Sequence, residues 1–142
     1  MAGIWTPEPF EADDGTVPFE RFVNELSDFK FIALETAIDR VLSVRGLDLV
    51  RTEWLKPLGE GMHEFRIRHD ADEVARMFGG ELPDTAGQRE KVLLRVFVHF
   101  YGDKVILLLG GYDKGKDPKE RRQQREVAQA RRLLKQFKAR RR

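Results

Sequence analysis

The chain has 142 residues, no cysteine and a net charge of +2. A chain of this length supports one hydrophobic core, and without cysteine it forms no disulfide and has no thiolate chemistry. The longest apolar run, Val105 to Leu109, is too short to cross a bilayer, and the first residues lack the basic and apolar regions of a signal peptide. We therefore expect a single domain, residues 1–142, in the cytoplasm and away from membranes.

Two helices are predicted after an initial strand. Pro7 and Pro9 lack the N–H group that a sheet ladder needs, which restricts the first strand to a sheet edge. Thr16 is the expected cap of the first helix. Ser27 or its neighbour caps the second helix, which ends at Gly46.

The rest of the chain predicts three strands and a further helix. Residues 62–69 alternate between apolar and polar side chains, as a strand with one buried face does. Residues 95–112 predict an antiparallel hairpin with a Gly-Asp turn at 102–103. Residues 70–91 form an insertion between these strands, with a short helical pattern. Residues 117–142 predict a basic C-terminal helix that Asp117 caps. The fold class is α+β: an antiparallel sheet with two N-terminal helices and a C-terminal helix packed on its apolar face.

The distribution of charge and the alternation of side chains along one strand both indicate that the protein binds a polyanion. The segment from Lys114 to Arg142 has 13 Lys and Arg and 3 Asp and Glu, a net charge of +10, whereas the residues before it have −8. Arg95, Phe97, His99 and Tyr101 share one face of a strand, and a cationic, aromatic, exposed face suits single-stranded RNA. The outer cations of the C-terminal helix are expected to bind a polyanion, and residues 138–142 to add charge without packing. The alternative is a solvated helix with a disordered end.

Four stretches of sequence carry a more specific pattern: Gly15-Thr-Val-Pro-Phe-Glu-Arg-Phe22, Leu55-Lys-Pro-Leu-Gly-Glu-Gly-Met-His-Glu64-Phe-Arg66, Leu94-Arg95-Val-Phe-Val98 and Leu107-Leu-Leu-Gly-Gly-Tyr-Asp-Lys114. In this order they resemble the HigB-like branch of the RelE/ParE toxin superfamily, which is often found in prophages. That branch usually has an aromatic residue followed by two adjacent lysines. In this chain Asp113 and Gly115 separate the aromatic residue and the two lysines.

The resemblance implies a RelE-like sheet and the toxin of a type II toxin–antitoxin system. Such a toxin is a ribosome-dependent endoribonuclease that needs no metal and no cofactor. It cuts translated mRNA by attack of the 2′-hydroxyl on the adjacent phosphate. The implied partners are a cognate helix-turn-helix antitoxin, the ribosome and mRNA. The alternatives are a non-enzymatic prophage protein of the same fold that binds nucleic acid or a protein, and a gyrase poison of the ParE kind.

Phosphoryl transfer requires cations at the phosphate and groups that exchange protons. The resemblance places the strand arginines and the strand-end Tyr and Lys in the site. A histidine on the arginine-bearing face has a pKa suited to proton transfer. The predicted catalytic residues are Arg66, Arg95, Lys114, Tyr112 and His99, and the predicted RNA-binding residues are Arg68, Lys116, Arg121 and Arg122. A purely structural alternative pairs one arginine with Glu64. The histidines lack the ligand spacing of a zinc site, so no metal is expected.

Overall fold

The computed structural model describes residues 4–85 and 88–141, which form an α+β fold around a five-stranded mixed sheet. The strand order is β1-β5-β4-β3-β2, and every neighbouring pair is antiparallel except β1 and β5, which run parallel. The strands are β1 (Thr6–Pro9), β2 (Leu55–Gly59), β3 (Met62–Ile67), β4 (Leu94–Tyr101) and β5 (Val105–Asp113).

The sheet differs from the sequence prediction at both edges. A wholly antiparallel sheet was expected, but β1 runs parallel to β5. No hairpin turn joins these two strands, and only such a turn would require them to be antiparallel. The second edge strand, β2, was not predicted because it contains Pro57. An edge position tolerates a proline, because one side of the strand has no ladder to complete.

The helical segments lie on both sides of the sheet. They are α1 (Pro18–Asn24), α2 (Asp28–Ala37), which continues through a π-helical turn (Ile38–Leu42) into α3 (Ser43–Arg45), α4 (Ala71–Phe78) in the insertion, and α5 (Glu120–Arg140). A 3-10 turn follows α3 at Gly46–Leu49. None of the helices within residues 4–85 and 88–141 is long and apolar enough to cross a membrane.

Helix caps agree with the prediction at one position and differ at two. Ser27 Oγ accepts a hydrogen bond from the Lys30 N–H, which confirms this cap of α2. Val17, not Thr16, precedes α1, because the Thr16 hydroxyl donates to Asp14 instead. Asp117 does not cap α5, which begins three residues later; its carboxylate lies 3.5 Å from the Arg122 guanidinium.

The helices pack on the sheet through two hydrophobic cores, one on each face. On one face of the sheet, α1, α2 and α4 pack on side chains that include Phe65, Ile67 and Val96. On the opposite face, Leu133, Leu134 and Phe137 of α5 pack on Met62, Phe97 and Leu109. The prediction that all helices share one apolar face is therefore wrong, since α5 covers the face that carries Arg95 and Phe97.

Three cationic side chains of α5 donate hydrogen bonds to backbone carbonyl oxygens in the rest of the domain. The Arg131 guanidinium donates to the carbonyl oxygens of Leu58 and Gly59, and Lys138 Nζ donates to that of Glu60 at 2.9 Å. Arg140 donates to the Glu11 carbonyl oxygen at 2.9 Å and pairs with Asp13. The expectation that the chain after residue 137 adds charge without packing is wrong for Lys138 and Arg140.

We predict that Arg140→Ala lowers the free energy of unfolding by about 0.5–1 kcal/mol, because one exposed ion pair and one hydrogen bond are lost. The melting temperature should fall by about 2–4 °C in a calorimetric scan. Arg132→Ala is the matched control, since Arg132 is exposed and its side-chain hydrogen bond in the described part of the chain is to Gln129 of its own helix. Equal melting temperatures for the two variants would show that the Arg140 contacts do not hold the helix.

Candidate functional site

Four of the five predicted catalytic residues meet at one end of the sheet. Arg66 of β3 is the cross-strand neighbour of Arg95 of β4, which is the neighbour of Tyr112 of β5. Lys114 follows Tyr112 by two residues, and its charge interacts with those of Arg66 and Arg95. Strand alternation places the side chains of Arg66, Arg95 and Tyr112 on the sheet face that α5 covers, and Lys114 lies in the turn that follows β5.

A buried carboxylate lies at the centre of this group. Glu64 is fully buried, and its Oε1 accepts a hydrogen bond from Arg66 Nε at 2.9 Å and lies 3.8 Å from Arg95 Nε. Its Oε2 accepts a hydrogen bond from Gln123 Nε2 of α5 at 2.9 Å. We define the Glu64 cluster as Glu64, Arg66, Arg95, Tyr112, Lys114 and Gln123.

Arg95 is the buried cation of the cluster. It is 3% exposed, so the expectation that it lies on an open sheet face is wrong, because α5 covers that face. Its Nε donates no hydrogen bond, although Glu64 is within ion-pair distance. Burial lowers the pKa of the guanidinium, the Glu64 charge opposes this, and Arg66 and Arg68 add to it. Arg66, by contrast, keeps 22% of its side chain exposed.

Tyr112 is held between two side chains and is 1% exposed. Its ring stacks on Phe97 at a centroid separation of 6.3 Å, and the Arg122 guanidinium lies 5.3 Å from its centroid. The ring therefore cannot stack on a base in this conformation. Its hydroxyl is also buried, and it has no hydrogen-bond partner among the residues that the structure describes. Burial, with the nearby Glu64 charge, raises the pKa of Tyr112 to about 12.

The strand end separates the acid Asp113 from Lys114. Asp113 turns toward α2, where its carboxylate lies 2.7 Å from Lys30 Nζ and also accepts from the Gly115 N–H. Lys114 is half-buried near the arginines, and burial followed by the Arg95 charge lowers its pKa. Lys30 is only 7% exposed, so it is not the surface lysine that an isolated polar position on a helix indicates.

The remaining predicted residues lie outside the Glu64 cluster, at different places on or beside the sheet and on α5. His99 lies four residues along β4 from Arg95, where its Nδ1 is 2.7 Å from the Gly61 carbonyl oxygen and its ring stacks on Tyr101. Arg68 and Lys116 are exposed near the cluster, and Arg121 is exposed on α5. Arg122 is turned toward Tyr112 and pairs with Asp117 and Glu126.

The histidines do not form a metal site. Within residues 4–85 and 88–141, no group of three or more His, Asp or Glu side chains is arranged to hold an ion. His69 lies between Glu53 and Glu73, at 2.8 Å and 3.3 Å. Burial alone would lower the pKa of His69, but hydrogen bonds to these two carboxylates outweigh it and raise the pKa.

Two depressions flank α5 beside the cluster. A polar cleft of about 420 Å³ lies between α1 and α5, with Gly110 and Gly111 among its lining residues and Arg122 in its wall. On the other side, a groove runs between α5 and β2, lined by Gln123 and Lys56. Lys56 is exposed and is the cross-strand neighbour of Glu64.

Sequence reasoning did not assign a central role to Glu64 or any role to Gln123 and Lys56. Glu64 was recognised as a partner for one arginine, whereas it lies within ion-pair distance of both. The sequence offered one indication of this pairing, because Glu64 stands two residues before Arg66 and so shares its strand face. Gln123 gave no comparable signal, because its contact joins positions 59 residues apart.

Comparison with known proteins gives no relative. No protein-family model, curated protein or solved structure matches this chain. The functional interpretation therefore depends on the residues and their geometry.

We predict that Glu64→Gln lowers the free energy of unfolding by about 3 kcal/mol, because it leaves the buried Arg95 cation without its counter-ion. Urea denaturation of the variant should show a clearly lower midpoint. Glu11→Gln, at an exposed position whose side chain forms no ion pair in the described part of the chain, is the matched control. A Glu64→Gln midpoint equal to that of the control would contradict a stabilising role for the Glu64 carboxylate.

Proposed function

We propose that this protein is a metal-independent endoribonuclease that cuts mRNA on the ribosome, as the toxin of a type II toxin–antitoxin pair. The observation that supports the proposal is the convergence of Arg66, Arg95, Tyr112 and Lys114 around one carboxylate, from three different strands. A cationic group of this kind suits a phosphate undergoing transfer, and the resemblance of the four sequence stretches to HigB-like toxins indicates RNA as its substrate.

The chemistry divides among the residues by their exposure. Arg66 and Lys114 are the partly exposed cations, so they contact the phosphoryl oxygens whose charge grows in the transition state. Arg95 is buried and positions Arg66 through their shared carboxylate, Glu64. The RNA 2′-hydroxyl passes its proton to a solvent water and its oxygen bonds to phosphorus, while the bond from phosphorus to the 5′-oxygen breaks. That oxygen takes a proton, and the lowered pKa of Lys114 makes its ammonium a better donor.

The outer side of α5 supplies a surface for ribosomal RNA. Arg121, Arg125, Arg132 and Lys135 are exposed and spaced 4, 7 and 3 residues apart, which aligns them along one side of the helix. We call these four residues the outer stripe. The ion pairs of α5 in the described chain involve Arg122 and Arg140 instead, which leaves the stripe available for phosphates.

A second candidate is a non-enzymatic protein that binds nucleic acid or a partner protein. The favouring observation is that Glu64 lies within ion-pair distance of both strand arginines while α5 covers Arg95 and Tyr112. In this alternative the cluster only stabilises the sheet, and the outer stripe alone carries the binding function.

We predict growth arrest on induced expression, with new mRNA 5′ ends inside translated codons.

Lys114→Ala should lower cleavage by about 10²-fold or more, since the loss of one transition-state donor has effects of that size. Lys91→Ala is the matched control, because Lys91 is exposed and lies outside the cluster. Equal cleavage by both variants would place the active site elsewhere, and the absence of new 5′ ends during continued translation would favour the second candidate.

We predict that Arg125→Gln together with Arg132→Gln weakens ribosome association and reduces its salt dependence. Each lost phosphate contact should lower the slope of log affinity against log salt by about 0.7–0.9. Arg76→Gln with Lys91→Gln removes two exposed cations elsewhere and should leave the slope unchanged. An identical slope for both double variants would exclude the outer stripe as the anchor.

A further inference from the structure

A shallow apolar groove lies on the side of the sheet away from α5. Its volume is about 250 Å³, and it is open to solvent between β1, α1 and α2. Its apolar walls include Pro7 and Pro9 of β1, Val23 of α1, and Phe31, Leu34 and the following Ile38.

Phe31 shows that the apolar side of α2 is incompletely covered. Phe31, Leu34 and Ile38 follow the i, i+3, i+7 spacing of one helix stripe. Leu34 and Ile38 are buried, but Phe31 remains 36% exposed. The groove therefore continues the apolar stripe of α2 out to the surface.

The rim of the groove is acidic. Glu35 and Asp39 lie one helical turn apart, both are exposed, and neither forms an ion pair within the described residues. No Lys or Arg is among the residues that line the groove. The surrounding part of the chain is also acidic, with a net charge of −8 over residues 1–113.

We propose that this groove docks an amphipathic helix of a partner protein, whose apolar stripe is flanked by Lys or Arg. The volume lies below the range of about 300–1,000 Å³ that is usual for small-molecule pockets, whereas an open apolar groove accepts the stripe of a helix. The unpaired carboxylates of Glu35 and Asp39 then face the basic flanks, which sets the sign of charge that the partner must carry.

A second copy of this chain does not meet that requirement with its basic helix. The apolar side of α5 is already buried, since Leu133, Leu134 and Phe137 pack on the sheet. The outer side of α5 offers cations but no apolar stripe to fill the groove. The buried apolar side of α5 therefore favours a different protein as the occupant.

The groove and the Glu64 cluster lie on opposite faces of the sheet. The groove is formed with α1 and α2, whereas the cluster and the outer stripe lie with α5. This inference does not depend on the proposed ribonuclease function, and a helix in the groove leaves the outer stripe free for nucleic acid.

The test uses two synthetic helical peptides of about 15 residues, long enough to hold a helix. Both carry leucine at i, i+3 and i+7, one with lysine on the flanks and the other with glutamate at the same positions. Titrated into the isotope-labelled full chain, the lysine peptide should shift amide signals of β1, α1 and α2. It should also bind at least about tenfold more tightly than the glutamate peptide.

Two variants link the binding to the groove. Glu35→Lys with Asp39→Lys should reverse the preference in favour of the glutamate peptide. The matched control, Asp48→Lys with Asp84→Lys, makes the same charge change at other exposed positions and should keep the original preference. Phe31→Ser should weaken the lysine peptide about tenfold or more while the amide spectrum remains that of a folded chain.

Three outcomes would overturn the proposal. Equal affinity for the two peptides would show that the acidic rim does not select a partner. Signal shifts confined to residues outside β1, α1 and α2 would place the binding elsewhere. A concentration-dependent dimer in light scattering that Phe31→Ser abolishes would show that a second copy fills the groove.

Discussion

The Glu64 carboxylate joins the two layers of the molecule on its α5 side. A buried carboxylate is costly unless charges and hydrogen bonds compensate it. Here Arg66 compensates it from the same strand, Arg95 from the next strand, and Gln123 from α5. The arginine pair and the position of α5 are therefore coupled: the helix completes the coordination of the same carboxylate that orients the two cations. A shift of the N-terminal half of α5 would leave one lone pair of Glu64 unsatisfied and change the environment of both arginines.

Adjacent residues at the end of β5 and in the turn after it have opposite roles. Tyr112 and Lys114 lie on the side of the cluster, while Asp113 turns to Lys30 on α2. In the sequence, Asp113 stands between Tyr112 and Lys114. In the structure that acid fixes the turn after β5 through the Gly115 N–H, and Lys30 balances its charge. Asp113 is therefore paired away from Lys114, whose charge interacts with those of Arg95 and Arg66.

Local patterns predicted the features that depend on local geometry. The alternation that buries Phe65 and Ile67, the hairpin around residues 102–103 and the Ser27 cap all follow from neighbours in sequence. The errors concern contacts between distant positions. A strand with Arg95, Phe97, His99 and Tyr101 on one face has the same pattern whether that face binds RNA or a helix. Only the wide apolar side of α5, with Leu133 next to Leu134, distinguishes the two, and it does so once the strand and helix are placed together.

The basic composition of α5 serves two separate physical purposes. Arg131, Lys138 and Arg140 donate hydrogen bonds to carbonyl oxygens of Leu58, Glu60 and Glu11, which join α5 to the rest of the domain. The outer stripe is exposed and adds to the positive potential on that side. Glu35 and Asp39, at the rim of the groove, lie on the opposite side of the sheet from the outer stripe. If both proposals hold, the polyanion and the basic partner helix bind on opposite faces of the sheet and do not compete for one surface.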